Sequence, residues 1–198
     1  MVLLALMGCA HDAENFAAEA DEKLAQGEDF WRDLQSRPDS ETPQIVAWLE
    51  TNANRLYPPY LFELARRLQP TDPERALYWA DVAYVRTRYD SLLCRDQSAQ
   101  QIIVNWALYV KEVLRYEKGE PARGAEMLRQ SLAWDEEQPL AGPAGWTCGH
   151  GIKDYTKTKD LTADELLIPE DEWPAKREEA RSEFETDISR LETAARRR

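Results

Sequence analysis

The side chains best suited to covalent or metal chemistry are few and scattered. The chain has three cysteines, Cys9, Cys94 and Cys148, and two histidines. Cys148 and His150 are separated by one glycine, which places a thiol and an imidazole on one short segment. A thiolate nucleophile needs such a base, and the base needs a third group to orient it. No such third residue stands beside His150. A zinc site needs three or four ligands, and the cysteines and histidines are too dispersed to supply them. The densest polar run is "RTRYDSLLCRDQSAQQ". On a helix, Arg86 and Asp90 lie one turn apart, with Leu93 or Cys94 beyond them. Arg88, Leu92 and Arg95 or Asp96 form the neighbouring row. An Arg–Asp pair at this spacing is worth about 0.3 kcal/mol on a helix surface. The same residues also suit the polar part of a protein-binding face.

Phosphate-binding glycine loops, the dinucleotide fingerprint, the GxSxG elbow and HExxH are all missing from the sequence. Carboxylates are so numerous that no pair stands out as acid and base. The expectation is a non-enzymatic chain with neither metal nor cofactor. Over 198 residues, 37 acidic side chains against 25 basic ones give a net charge of −12. That charge repels phosphate backbones and excludes nucleic acid as a partner. It attracts a basic protein, and it also keeps a helical chain soluble. Apolar residues make up 43% of the chain, enough for a packed core.

The elements that must position these residues read as helices throughout. Glycine is sparse, alternating β-branched runs are missing, and Ala, Leu, Glu, Arg and Gln dominate. Asp12 to Gln26 carries Phe16, Ala20 and Leu24 on one face, with Gly27 behind it. A short helix follows near "EDFWRDLQ". Thr42 and Pro43 suit the start of a helix bearing Ile45, Trp48, Leu49 and Leu56. A helix near Tyr60 to Leu68 turns at "QPTDP", where Asp72 caps a long helix from Pro73 to about Cys94. "SAQQIIVNWALYVKEVLRYEKG" reads as one helix ending at Gly119, and "EPARGAEMLRQSLAWD" restarts after Pro121.

Helix signals then stop. "QPLAGPAGWTCGHGIKDYTKTKDLT" holds four of the eight glycines and reads as a long loop, functional or tied down. Trp146 and Tyr155 in this loop are candidate interface anchors. A short helix and a long C-terminal helix close the chain. The latter carries Ala180, Phe184, Ile188, Leu191 and Ala195 as a narrow stripe, for packing on the domain or meeting a partner. The fold class is all-α, with helical hairpins packed as an irregular or repeat-like bundle, a long glycine-rich loop and a C-terminal helix. The expected organisation is a leader over 1–9, a helical domain over 10–172 and the C-terminal amphipathic helix over 173–198.

Residues 2–7 are apolar but too few to cross a bilayer, and they fit the end of a secretory h-region. Leu6-Met7-Gly8-Cys9 resembles the lipobox of bacterial lipoproteins, with Leu6, Gly8 and Cys9 at matching positions. The resemblance implies lipid on Cys9 and, with Ala10 rather than Asp after the cysteine, an outer-membrane, periplasm-facing destination. Several acyl chains would anchor the protein stably. The competing reading is the apolar start of a cytosolic helix. If Cys9 takes lipid, Cys94 and Cys148 remain, and in an oxidising compartment they read as one disulfide. Its loop of about 54 residues would be worth roughly 4 kcal/mol on the chain-entropy model.

"DPERALYWADVAYV" resembles the second helix of Sel1-like or tetratricopeptide repeats, with small residues at Ala76, Ala80 and Ala83 for close packing. The whole is similar to small, acidic, periplasmic immunity proteins. That likeness implies binding of another protein, such as a basic toxin, through the loop Gly142 to Tyr155 and the polar face of Arg86 to Gln101. Arg86, Asp90, Arg95, Asp96, Trp146, His150 and Tyr155 are the candidate contacts. A helical-repeat adaptor in an envelope complex is the alternative.

Overall fold

The structure is a computed structural model that describes residues 2–26, 30–138, 144–156 and 161–198, with the side chains of 2–13, 154 and 155 outside the description. It is all-α: among the described residues the only β pairing is a single antiparallel bridge between Cys94 and Leu167. The chain forms two compact units, Met1–Ala53 and Asn54–Arg198.

The first unit contains α1 (Val2–Ala25), α2 (Trp31–Ser36) and α3 (Thr42–Thr51). The first helix starts well before Asp12, because nothing in the alanine- and leucine-rich run ahead of it breaks a helix. Phe16 and Ala20 of α1 are buried, as are Leu34 of α2 and Ile45, Trp48 and Leu49 of α3. Trp48 meets the edge of Phe16 at 6.2 Å and packs on Phe30 at 5.6 Å. Its indole N–H donates to Asp21 at 3.2 Å, so the buried tryptophan keeps a partner for its polar end. Arg37 ties the elements together through Glu19 at 2.6 Å, and Asp33 and Glu41 at 3.2 Å each.

The second unit is built around α4 (Pro58–Leu68) and α5 (Pro73–Leu92). Asp72 caps α5 as its sequence predicts, accepting the Arg75 backbone N–H at 3.1 Å, with Pro73 in the first turn. Ala76, Ala80 and Ala83 are fully buried, and α5 packs against α4, α7 (Lys111–Gly119), α8 (Pro121–Glu137) and α11 (Trp173–Arg196). The C-terminal stripe docks here. Ile188 joins Val85, Ala125, Leu128 and Leu132 in one apolar cluster, and Phe184 and Leu191 pack against it.

Two elements differ from their sequence reading. The run 98–119 is not one helix: a 3-10 turn over Gln97–Gln101 leads into α6 (Ile102–Tyr109), and the chain turns at Val110 before α7. The cause lies in tertiary contacts. The Tyr109 hydroxyl donates to the fully buried Glu63 on α4, while Val110 and Val113 stay buried on their own side. Glu63 also accepts from Arg66 at 2.7 Å and Arg67 at 2.6 Å, so its charge is met inside the core. The glycine-rich stretch likewise holds structure. It contains a 3-10 turn over Trp146–His150, then α9 (Ile152–Thr156), and the short α10 (Ala163–Leu166) follows.

Candidate functional site

The glycine-rich segment is fastened to the end of α5 by two aspartates and one disulfide. Asp90, on the last turn of α5, accepts the Gly145 N–H at 2.6 Å, the Thr147 N–H at 2.7 Å and the Thr147 hydroxyl at 2.8 Å. Gly145 adopts φ = +94°, a left-handed conformation that favours glycine, and a Cβ there would lie 2.9 Å from Leu167. Four residues after Asp90 and just past the end of α5, Cys94 is bonded to Cys148, with the Cα atoms 5.2 Å apart. Both cysteines are buried, packed with Ala99 and against Leu166 and Leu167. Asp96 then accepts the Lys153 N–H at 2.8 Å, and Ser98 accepts the Ile152 N–H at 2.8 Å. Gly151 is needed for this approach: a Cβ would stand 2.6 Å from the Asp96 carboxylate.

The two carboxyls differ in electrostatics. Burial pushes Asp90 above the usual carboxylate range, opposed by the donors from Thr147 and Gly145. The Lys153 backbone N–H, then the Ser98 hydroxyl, hold Asp96 below that range in a more solvated setting.

Arg86 and Asp90 do not pair with each other despite their spacing. Arg86 is buried and turns to α8, donating to Asp135 at 3.0 Å and to the Gln138 carbonyl at 2.7 Å. Its guanidinium lies 4.7 Å from the Trp134 ring centroid. Arg177 reaches Asp135 from α11 at 3.0 Å, so one carboxylate joins three helices. Arg86 is thus a packing group, and Asp90 and Asp96 hold the segment in place. Arg95 is exposed, and its side chain and backbone both bond to α10, at the Asp164 carbonyl (3.0 Å) and the Leu166 carbonyl (2.9 Å).

Trp146 is half-buried and continues an aromatic row. Phe62 stacks on Trp106 at 4.8 Å, Trp106 meets Trp146 at 6.3 Å, and Trp146 meets His150 at 5.1 Å. The Cys148 sulfur is committed to the disulfide and offers no thiolate to His150. The Tyr155 side chain and Gly142 lie outside the described residues, as does the Cys9 side chain, whose backbone is part of α1. Ile152 is the large apolar side chain this segment leaves in solvent, 66% exposed.

A cavity of about 690 Å³ lies elsewhere in this unit, lined by residues of α5, α6, α7, α8 and α11. Of its polar groups, Arg88, Gln100 and Gln101 fall in the dense polar run of the sequence, whereas Asp81 and Glu117 are two acids among 37. Asp81 within the apolar run "ALYWADVAYV" is the one signal available. Among the described residues no three His, Cys, Asp or Glu side chains gather as a metal site, and no helix is long and apolar enough to cross a membrane. The chain matches no protein-family model, no curated protein and no solved structure.

Proposed function

We propose that this chain is an exported, lipid-anchored protein of the periplasm-facing outer membrane that works by binding another protein. In its sharpest form it is an immunity-type lipoprotein that neutralises a basic toxin. The Cys94–Cys148 disulfide carries the reading. A buried cross-link of this kind suits an oxidising compartment, and it agrees with a cysteine count in which Cys9 is set aside for lipid. Together with Asp90 and Asp96, it fixes the 145–153 segment before any partner arrives, which lowers the ordering cost of association. Ile152 and Trp146 supply apolar contact on that segment. The net charge of −12 favours encounter with a basic partner.

A helical-repeat adaptor of an envelope complex is the second reading, supported by the closely packed α4–α5 hairpin with its buried alanines. Protection assays separate the two. A strain sensitive to a secreted toxin encoded beside this gene is protected by the full chain. An Ile152→Asp, Trp146→Ala variant that remains folded loses that protection. Constant co-purification with envelope assembly subunits, without protection, favours the adaptor.

A further inference from the structure

The cavity of about 690 Å³ combines an apolar wall with carboxyl groups that lack partners. Ile103, Leu114, Leu128, Phe184 and Leu191 line it. Six ionisable charges also face it: Asp81, Glu117, Glu183 and Asp187 against Arg88 and Arg190. The two arginines are already neutralised. Arg88 grips Glu183 through two bonds of 2.6 Å, and Arg190 donates to Asp187 at 2.7 Å. Asp81 and Glu117 therefore remain as the uncompensated pair.

Asp81 is 5% exposed, and its Oδ2 has no hydrogen-bond partner among the described residues. The hydroxyl of Tyr84, one turn further along α5 and also lining the cavity, is likewise buried and unpartnered. Buried polar atoms are bonded in the great majority of cases, so two orphans on one cavity wall call for a partner. Glu117 owes its place to Gly124: a Cβ there would lie 2.8 Å from the Glu117 Cγ. A neutral guest would leave both carboxyl groups desolvated without compensation, whereas a cation offsets them.

The geometry points to this cavity as a binding site for a protonated amine carried on an apolar stem, with Asp81 and Glu117 meeting the charge and the wall of Leu114, Leu128, Phe184 and Leu191 meeting the stem. A free alkylamine and the lysine side chain of a protein partner present this same chemistry. The site does not depend on export or on lipid at Cys9. Burial, and then the Glu117 charge, push the Asp81 carboxyl well above the usual range. Docking of an ammonium ionises that carboxyl and releases its proton to solvent. Tyr84, raised chiefly by burial, stays neutral throughout.

The test titrates the full chain with n-hexylammonium, with hexanol as the neutral guest of equal stem, and with a blocked tripeptide bearing one lysine. Hexylammonium is expected to saturate with a Kd at least tenfold below that of hexanol, about 1.4 kcal/mol by the affinity relation. Asp81→Asn and Glu117→Gln each weaken it about tenfold and leave hexanol unchanged. Calorimetry in two buffers of different ionisation enthalpy reads the released proton. A peptide tighter than hexylammonium names a protein side chain as the source, and a weaker peptide names a free amine; either ranking supports the site. Equal binding of hexanol and hexylammonium overturns it. So does no saturation by either cation below about 10 mM, or unchanged affinity in both variants, whose folding circular dichroism verifies.

Discussion

Asp90 binds Thr147 twice, through its backbone N–H at 2.7 Å and its hydroxyl at 2.8 Å, one residue before the cysteine that Cys94 captures. The carboxylate on the last turn of α5 and the disulfide just beyond its end thus hold the same segment. Asp90→Ala leaves the Thr147 and Gly145 N–H groups without their acceptor, while the Thr147 hydroxyl keeps only the Cys94 sulfur at 3.3 Å. The expected loss is about 2 kcal/mol, read as a lower urea midpoint. The disulfide stays intact in that variant, so under non-reducing conditions Cys94 and Cys148 take up no alkylating reagent.

Removing the cross-link acts on the unfolded chain instead. The bridge spans a sequence separation of 54. Cys94→Ser with Cys148→Ser is expected to lower unfolding stability by roughly 4 kcal/mol on the chain-entropy model. Non-reducing urea titrations of both forms measure this. Reduced protein should alkylate slowly until it unfolds, since both cysteines are buried.

Glu63 is the charge on which the bend at Val110 depends. It is fully buried and takes donors from Arg66, Arg67 and Tyr109. Glu63→Gln removes the buried carboxylate that Arg66 and Arg67 share and is expected to cost about 3 kcal/mol. Tyr109→Phe removes one neutral donor and should cost about 1 kcal/mol. Paired thermal melts of the two variants test that order.

Asp81 makes a pH-dependent contribution of the opposite kind to a salt-bridged acid. Its carboxyl is raised by burial and by Glu117, so the folded chain keeps a proton that the unfolded chain has lost. This contribution is fully present below the unfolded value of about 4 and is lost as pH rises through the folded value. Asp81→Asn is therefore expected to be the more stable protein at pH 7, by on the order of 1 kcal/mol. The gap should close below about pH 4, as urea midpoints across pH will show.

Much of the helical frame was legible locally. The Asp72–Pro73 start, the Pro121 restart and the apolar stripe of α11 are written in short-range spacing, and the structure realises each of them. The bend at Val110 was not, because its cause, buried Glu63, sits on another helix. Arg86 and Asp90 have the spacing of a surface pair, yet burial gives each a different partner. The glycine-rich stretch reads as a long loop, functional or tied down, but its short turns are held by aspartates from distant sequence, which no local pattern records. The cysteine pairing is anticipated only through the lipobox resemblance, which sets Cys9 aside and leaves Cys94 and Cys148. Asp81 carries one local signal, its place in an apolar run, and Glu117 carries none, since only packing distinguishes it from the acids on the surface.

The most direct test of the account is the intact mass of the protein from its native host, kept non-reduced and treated with an alkylating reagent. The account predicts a lipid mass on Cys9 and no alkylated thiol, since Cys94 and Cys148 are bonded to each other. An unmodified chain that takes up three alkyl groups after denaturation would contradict it. Such a result would place the protein in a reducing compartment and return the thiol of Cys148, beside His150, to chemistry.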